Sequence, residues 1–307
     1  MGEERGKNGP PPPDLAAAAA RLDRCRITSG KGFKLANCGP SDIHPAALEE
    51  TAAVALLRDR ITRISALQER LYISKAAAIL VVVQGMDCGG KDSTIKHVTE
   101  GIHPQGLTVM SFKTPTPDEY THDFLWRISR ALPALGMIGV FNRSHYESVL
   151  VTRVHPEILG QEGFPKSLLD KAGFWDKRLE DIAAFEHHLA REGTRIVKIF
   201  LNITFEEQKK RLLERLNDPL KNWKFDPSDV KEREFWPAYM EAYDAAIAAT
   251  ATSHAPWFVV PANHRWYARL VVAEAILAAF DGLDLERPAL SEAEISAIDA
   301  ARRALEG

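Results

Sequence analysis

The sequence has few cysteines, no long apolar run and little net charge. Its three cysteines, Cys25, Cys38 and Cys88, are odd in number and irregularly spaced, which argues against a disulfide framework or a zinc site. No apolar run approaches the roughly 20 residues that a membrane-spanning helix needs. The N-terminus also lacks the charged-then-apolar pattern of a secretory signal. We therefore expect a soluble, cytoplasmic protein that has no membrane partner.

The formal net charge of -3 at pH 7 lacks the basic excess of a non-specific nucleic-acid binder. We therefore expect no nucleic-acid partner, and any polyanion has to meet a local basic patch. The 307 residues, 45% hydrophobic and 26% charged, are typical of a globular enzyme. No internal repeat divides the chain.

The two ends of the chain differ from its middle. The first segment, MGEERGKNGPPPPD, is polar and rich in glycine and proline, so residues 1–20 are predicted to form a disordered tail. Residues 21–285 are predicted to form a single folded domain, and residues 286–307 a C-terminal helical tail. A loop rich in Pro, Lys, Trp and Asp lies between two helical patterns, which predicts a helical lid at about 205–235.

Five apolar segments are typical of buried strands. The run from Ala78 to Val83 is continuously apolar, as in a central parallel strand covered on both faces. The other predicted strands are Leu107–Phe112, Met137–Phe141, Ile196–Leu201 and Trp257–Val260. Helical periodicity predicts the segments Pro45–Tyr72, Asp118–Leu132, Ser167–Arg191, Thr204–Asn217, Ser228–Thr250 and Trp266–Phe280. This alternation predicts an α/β fold, a doubly wound, mostly parallel five-stranded sheet flanked by helices.

The nine residues from Gly85 to Ser93, GMDCGGKDS, follow the central strand and precede a helical pattern. This context distinguishes a P-loop from a simple glycine-rich turn. Gly85, Gly89 and Gly90 let the backbone turn so that successive N–H groups bind phosphate oxygens at the start of the helix. Lys91 adds a point charge for the transferred phosphate.

The residue after this lysine departs from the usual P-loop pattern. A Ser or Thr that ligates Mg²⁺ ordinarily stands there, but this chain has Asp92, with Ser93 one residue later. Asp87 and Asp92 are two carboxylates that suit Mg²⁺ and would repel phosphate in its absence. We therefore predict an obligatory Mg²⁺ cofactor on Asp87 and Asp92, and phosphate binding by Lys91, Asp92 and Ser93.

The segment Asn142-Arg143-Ser144-His145-Tyr146-Glu147 follows another predicted strand, at the edge of the sheet where ligands bind. Arg143 is planar and bidentate, which suits a phosphoryl group in transit. We predict Asp87, Lys91 and Arg143 as catalytic residues.

Three neighbouring residues are weaker candidates. Asn142 stands where a P-loop enzyme usually keeps a metal-binding Asp. For His145 we favour a structural role, because transfer between phosphates requires no proton abstraction. Glu147 could orient water or metal, or pair with Arg153.

Further cations follow the other strands and helices. Each alone is more often a solvated surface charge than a ligand, but a long polyanion needs a positive track. We predict phosphate binding by Lys113, Arg211 and Lys224, and Arg178 is a weaker candidate.

With these residues in view, the sequence resembles the polyphosphate kinase 2 family from about Phe33 to Gly282. GMDCGGKDSTIKHV resembles the family's first phosphate-binding motif, and FNRSHYESVLVTRVHPE resembles the second. Two further segments of this chain, WKFDPSDVKEREFWPAYMEAYDAAI and APWFVVPANHRWYARL, resemble the family's lid and C-terminal segments.

The resemblance implies a P-loop kinase fold related to thymidylate kinases. It also implies Mg²⁺-dependent transfer of phosphate from inorganic polyphosphate to AMP or ADP, with ATP formed from ADP and polyphosphate synthesis as the reverse reaction. Guanine nucleotides stay open as alternative acceptors. A homodimer or homotetramer is expected by analogy alone.

Carried over residue by residue, the resemblance makes Asp87 and Asp92 the metal carboxylates and Lys91 and Arg143 the phosphate-transfer cations. Lys113 and Arg211 are implied to contact phosphates. The segment SHYE, residues 144–147, is similar to the corresponding segment of the family branch that accepts both AMP and ADP. Two departures concern Asn142, where other branches have Asp, and Ser148, where that branch often carries an acidic residue.

Two other functions stay open at this point. An ATP-dependent kinase of a nucleotide or small metabolite would use the same fold without polyphosphate. A non-catalytic nucleotide-binding module could lose its transfer cations, whereas Asp87, Lys91 and Arg143 are all present here.

Overall fold

A computed structural model of the chain describes residues 13–45, 48–161, 164–287 and 289–307, and excludes the side chains of Pro13, Asp14, Gln161 and Lys224. Residues 1–12 of the predicted tail and residues 46 and 47 of the first predicted long helix lie outside the described residues. Six strands form one sheet in the order β1-β6-β5-β2-β4-β3. Their bounds are β1 Arg26–Ile27, β2 Ala78–Gly85, β3 Leu107–Ser111, β4 Ile138–Asn142, β5 Thr194–Asn202 and β6 Trp257–Pro261.

The five strands β2 to β6 are parallel, which confirms the predicted doubly wound α/β fold. The sixth strand, β1, pairs antiparallel with β6. The sequence analysis missed it because two residues are too few to show a strand period. Strand β2 lies between β4 and β5, so the segments that follow these three strands meet at one edge of the sheet.

The α-helices cover both faces of this sheet. Their bounds are α1 Pro13–Cys25, α2 Glu50–Ser74, α3 Lys91–Val98, α4 Trp126–Ser129, α5 Val151–Val154, α6 Glu157–Gln161, α7 Lys166–Leu169, α8 Phe174–Arg191, α9 Phe205–Asn217, α10 Ser228–Lys231, α11 Trp236–Thr250, α12 Arg265–Ala278 and α13 Glu292–Glu306. Short 3₁₀ turns lie at Leu35–Asn37, Pro104–Gly106, Glu119–Thr121, His145–Ser148, Asn222–Lys224 and Glu232–Phe235.

Strand β2 contributes alternate side chains to two hydrophobic cores. Ile79, Val81 and Val83 pack in the core that contains the apolar faces of α2 and α12. Leu80 and Val82 pack in the opposite core with residues of α8 and α11. Because both faces of the strand are buried, its first six residues, 78–83, are apolar without interruption.

Three predicted helices are shorter or broken in the structure. The segment 118–132 contains only a 3₁₀ turn and α4, because Thr116 and Asp123 accept hydrogen bonds from the backbone N–H groups of Glu119 and Leu125 and so compete with helix formation. Segment 167–191 is broken at Gly173, which has a φ of 76°. Segment 228–250 restarts at Trp236, where Pro237 lies in the first turn of α11.

Residues 13–20, predicted as part of the disordered tail, belong to α1. Arg21 of this helix is buried, and its Nε donates to Glu274 Oε2 of α12 at 2.9 Å. This alanine-rich helix is ordered because Leu22 and Cys25 pack in the hydrophobic core, with the Arg21 ion pair buried beside them. At the other end of the chain, α13 lies in the predicted C-terminal tail, and all its residues are exposed. Within the described ranges, none of the helices combines the length and the apolar character that crossing a membrane requires.

Candidate active site

The P-loop connects the end of β2, Gly85, to the start of α3, Lys91. Gly90 has a φ of 102°, a conformation that residues with a Cβ rarely adopt. A Cβ on Gly89 would lie 2.7 Å from the carbonyl oxygen of Met86, to which the Gly89 N–H donates a hydrogen bond at 2.8 Å. Both glycines are therefore required by the shape of the loop.

Lys91 lies buried beneath this loop. Its Nζ donates hydrogen bonds to the carbonyl oxygens of Gly85 at 2.6 Å and of Met86 at 3.1 Å. Burial lowers the pKa of Lys91 and the nearby Arg143 guanidinium lowers it further, while three carboxylates, led by Asp87 and Glu147, oppose the shift. A phosphate would replace the carbonyl partners with a stronger, charge-assisted interaction.

Arg143 faces the loop from the end of β4, held between two carboxylates. Its Nη2 donates to Asp87 Oδ1 at 2.8 Å and its Nη1 to Glu147 Oε2 at 3.0 Å. Glu147 and, to a lesser degree, Asp87 raise the pKa of Arg143 against the effect of burial. Glu147 thus pairs with Arg143, and not with Arg153 as one sequence interpretation had it. Arg143 itself has a φ of 62°, a strained backbone of the kind found at functional sites.

The two predicted metal carboxylates lie on the same side of the loop as Asn142 and Arg143. Asp87 is paired with Arg143, and Asp92, exposed in the first turn of α3, accepts a hydrogen bond from Asn142 Nδ2 at 2.7 Å. Among the described residues, no group of three or more His, Cys, Asp or Glu side chains could hold a metal ion. The carboxylate oxygens fit a hard cation, which would need phosphate and water oxygens to complete its ligands.

The remaining predicted cations occupy different positions. Lys113 is exposed just beyond the end of β3. Arg178 is buried, and its guanidinium lies against the rings of Phe124, Phe164 and Phe174. It also donates a hydrogen bond to the Ser148 carbonyl at 3.0 Å, and these contacts indicate a structural role. Lys224 ends a 3₁₀ turn of the lid, and its side chain lies outside the described residues.

Arg211 lies behind the P-loop. Five hydrogen bonds occupy its guanidinium: one to Glu207 Oε1 and four to the carbonyl oxygens of Cys88, Gly89, Ala262 and Asn263. A guanidinium has five N–H donors, so these bonds engage the full set. These bonds hold the P-loop against α9, and the predicted phosphate contact of Arg211 stays a prediction.

The polar residues below Arg143 form a buried network. His145 Nε2 lies 3.3 Å from Glu186 Oε1, and its Nδ1 has no hydrogen-bond partner among the described residues. Glu186 also accepts hydrogen bonds from Tyr146 and Lys198. Although burial raises the pKa of Glu186, the Lys198 ammonium and a hydrogen bond from His145 lower it overall. His145 therefore supports the segment that carries Arg143 and does not face a substrate.

A narrow cleft of about 30 Å³ opens beside the P-loop. Asp87, Arg143 and Glu147 line one side, and Glu232 and Tyr239 reach it from the predicted lid and from α11. Tyr239 donates to Glu232 Oε2 at 2.8 Å. The lid segment thus lies directly against the residues predicted for phosphate transfer.

The arrangement of P-loop, arginine and lid can be compared with known proteins. The model of the family "Polyphosphate kinase 2 (PPK2)" matches residues 47–288, well over half of the chain. The chain belongs to the polyphosphate kinase 2 family.

Curated relatives cover most of this family member. The ADP-polyphosphate phosphotransferase of Rhodopseudomonas palustris is 45% identical over 249 residues, 81% of this chain and 86% of the relative. The AMP/ADP-polyphosphate phosphotransferase of Meiothermus ruber is 41% identical over 267 residues, 87% of this chain and 96% of the relative. A crystal structure of polyphosphate kinase 2 from Arthrobacter aurescens TC1 superposes with a TM-score of 0.79 at 40% identity, covering 90% of this chain and 95% of that one.

Sequence reasoning missed several residues at the site of this polyphosphate kinase 2 family member. Gln208 donates to the carbonyl oxygen of Asp87, and Arg269 donates to Ser93 Oγ at 2.9 Å. Asp229 of the lid pairs with Arg215 at 2.8 Å. The only signal in the sequence was their position on helices that flank the sheet edge, which singles out no individual side chain.

Proposed function

We propose that this protein is a Mg²⁺-dependent phosphotransferase that moves the terminal phosphoryl group of inorganic polyphosphate to AMP and ADP, giving ADP and ATP. The observation that carries the proposal is the position of Arg143, at the end of β4, between the P-loop carboxylate Asp87 and Glu147. The proposal is supported by the names of the relatives, which include ADP and AMP/ADP acceptors.

The reaction joins an acceptor phosphate oxygen to the terminal phosphorus of polyphosphate and breaks the bond from that phosphorus to the bridging oxygen. The attacking oxygen is already ionised, so positioning and charge stabilisation are the main requirements. Lys91 and Arg143 supply positive charge on two sides of the transferred group, and the planar fork of Arg143 matches its equatorial oxygens. The buried position of His145, away from the cleft, fits a mechanism that needs no proton acceptor.

We assign the divalent cation to Asp87 and Asp92. Bound there, it would offset the negative charge of the phosphates and thereby allow two carboxylates to lie beside them. Asp87 also holds Arg143, so this carboxylate links the metal position to the transfer cation. Asn142 would orient Asp92 through its amide and leave that carboxylate available for the cation.

The experiment tests each combination of phosphate donor and nucleotide acceptor. Purified protein is incubated with Mg²⁺, AMP, ADP, GMP or GDP, and polyphosphates of defined length, without ATP, and the nucleotides are separated by chromatography. We expect ADP and then ATP from AMP, ATP from ADP, and loss of both with EDTA. The reverse assay supplies ATP alone and measures polyphosphate formation.

Other outcomes are equally informative. If neither AMP nor ADP is phosphorylated at any polyphosphate length, the proposal is wrong. Transfer from ATP to another acceptor without polyphosphate would indicate an ATP-dependent kinase, and tight nucleotide binding without turnover would indicate a non-catalytic module. Light scattering on the same sample tests whether the protein is a homodimer or homotetramer, as the family analogy suggests. The cytoplasmic location stays a prediction.

A further inference from the structure

Gln208 of α9 connects the P-loop to the lid. Its side chain is buried, with only 2% of its surface exposed. The amide nitrogen Nε2 donates to the carbonyl oxygen of Asp87 at 3.0 Å, and the amide oxygen Oε1 accepts from Arg233 Nη1 at 2.7 Å. One amide therefore bridges a P-loop residue and the 3₁₀ turn Glu232–Phe235, which we call the lid turn.

Arg211 extends this contact by one helical turn. It donates to the carbonyl oxygens of Cys88 and Gly89, so with Gln208 it holds three consecutive P-loop carbonyl groups against α9. In a planar trans peptide the N–H points opposite to the C=O of the same unit. The N–H groups of Cys88 and Gly90 therefore point away from α9, and this orientation leaves them available to an anion on the other side of the loop.

The lid side of the bridge is also well anchored. The Arg233 guanidinium lies 3.7 Å from the centre of the Phe205 ring, and its Nη1 also donates to the Phe205 carbonyl at 3.2 Å. Glu232, the residue before Arg233, lines the cleft beside Asp87. A displacement of the lid turn would therefore act on Arg233 and on the Gln208 amide together.

The P-loop side of the bridge leads to the transfer cation. Asp87, whose carbonyl is held by Gln208, uses its carboxylate to hold Arg143 at 2.8 Å. Arg143 has a strained backbone conformation, so its placement depends on such contacts. A continuous series of hydrogen bonds thus runs from Arg233 through Gln208 and Asp87 to Arg143.

We propose that Gln208 is a positioning residue that couples the lid turn to Asp87 and, through Asp87, to Arg143. The position of the lid then determines whether the P-loop and the arginine are ready for transfer. The kinetic part of this inference rests on the proposed function, whereas the structural coupling can be measured without any substrate.

The kinetic test is a double-mutant cycle with Gln208→Met and Arg233→Met. Each single variant breaks the bridge, so we expect each to lower kcat by about tenfold, in line with the cost of small misplacements at an active site. KM for AMP and for polyphosphate should change by less than about threefold, because neither residue is placed against substrate. The double variant should lose little more than either single variant.

Gln208→Glu separates the two halves of the bridge. It keeps an oxygen for Arg233 but replaces the donor to the Asp87 carbonyl with an acceptor, so kcat should fall as in Gln208→Met. Lys209→Met, at the next, exposed position of α9, is the matched control and should keep the wild-type kcat. If the losses of the Met variants multiply in the double variant, or if Gln208→Glu keeps the wild-type kcat, the coupling is refuted.

Hydrogen exchange on ligand-free protein tests the coupling independently of activity. Arg233→Met should increase amide hydrogen exchange in a peptide covering residues 85–91. Arg233 has this effect on the P-loop only through Gln208, because Arg233 itself lies in the lid turn. Unchanged exchange there would overturn the inference even if polyphosphate transfer is confirmed. Increased exchange would support it even if the donor proves not to be polyphosphate, and Arg233→Met provides this test if Gln208→Met does not fold.

Discussion

Asn142 and Asp92 are joined across the mouth of the P-loop by a hydrogen bond of 2.7 Å from Nδ2 to Oδ1. The donor is the last residue of β4, and the acceptor lies in the first turn of α3. A neutral amide at position 142 thus satisfies one oxygen of a carboxylate that we assign to the metal. The Asp that P-loop enzymes usually have at this position would instead place a second negative charge beside Asp92 and repel it.

Asn142→Asp should therefore make the fold depend more strongly on a divalent cation. Without metal, two carboxylates at hydrogen-bond distance repel, so we expect the melting temperature to fall. Added Mg²⁺ should raise the melting temperature of this variant more than that of the wild type. Thermal unfolding with EDTA and with increasing Mg²⁺ measures both effects, and equal responses of the two proteins would contradict the proposed metal position.

Lys91→Met should lower kcat by at least about a hundredfold, by analogy with the removal of other preorganised charge stabilisers. Methionine keeps most of the buried stem and removes only the ammonium that donates to Gly85 and Met86. Lys96→Met, at an exposed position of the same helix, is the control and should retain activity. A Lys91→Met enzyme with a near-normal rate would show that the reaction occurs elsewhere.

Arg143→Lys should reduce kcat less than Lys91→Met, by about ten- to a hundredfold. An ammonium keeps the charge but cannot reproduce the fork that reaches Asp87 and Glu147 together. Steady-state kinetics with AMP and polyphosphate should show the loss mainly in kcat. A loss confined to KM would mean that Arg143 binds substrate without acting on the transition state.

Lys198→Met should lower the free energy of unfolding by about 3–5 kcal/mol, because it leaves Glu186 charged and buried without its ammonium partner. Replacing Glu186 as well, in Lys198→Met/Glu186→Leu, should restore part of the loss. The control is Lys177→Met, which breaks a solvent-exposed pair with Glu180 and should leave the free energy of unfolding close to the wild-type value. Urea unfolding compares the variants, and a Lys198→Met cost no larger than that of the control would contradict the prediction.

The sequence predicted the parts of this fold that follow from burial. Four of the five parallel strands were found because they are buried apolar runs, and the P-loop was found because its glycines and lysine follow such a run. Strand β3 was also found, but it was expected to be buried, whereas at the edge of the sheet it is mostly exposed. The helix breaks were missed, since a side-chain contact from Asp123 or a single residue such as Gly173 decides them locally. Periodicity does not register such contacts.

The candidate site shows the same division. The proximity of Arg143 to the P-loop followed from parallel strands ending at one edge. The positions of Arg178 and Arg211 could not be predicted in the same way, because a sequence shows that a residue is charged but not which direction its side chain takes. Arg178 lies among aromatic rings and Arg211 donates to four backbone carbonyl groups, and both arrangements depend on residues distant in the chain.

Trp223 lies in the 3₁₀ turn Asn222–Lys224 of the lid, with 74% of its surface exposed to solvent. An indole in water emits at longer wavelength than one in an apolar environment, so closure of this segment over a bound ligand would shift its fluorescence to the blue. The chain therefore contains an intrinsic fluorescence probe in its lid segment. The difference in stopped-flow emission between the wild type and Trp223→Phe separates this probe from the other five tryptophans and follows the order of nucleotide and polyphosphate binding without an attached dye.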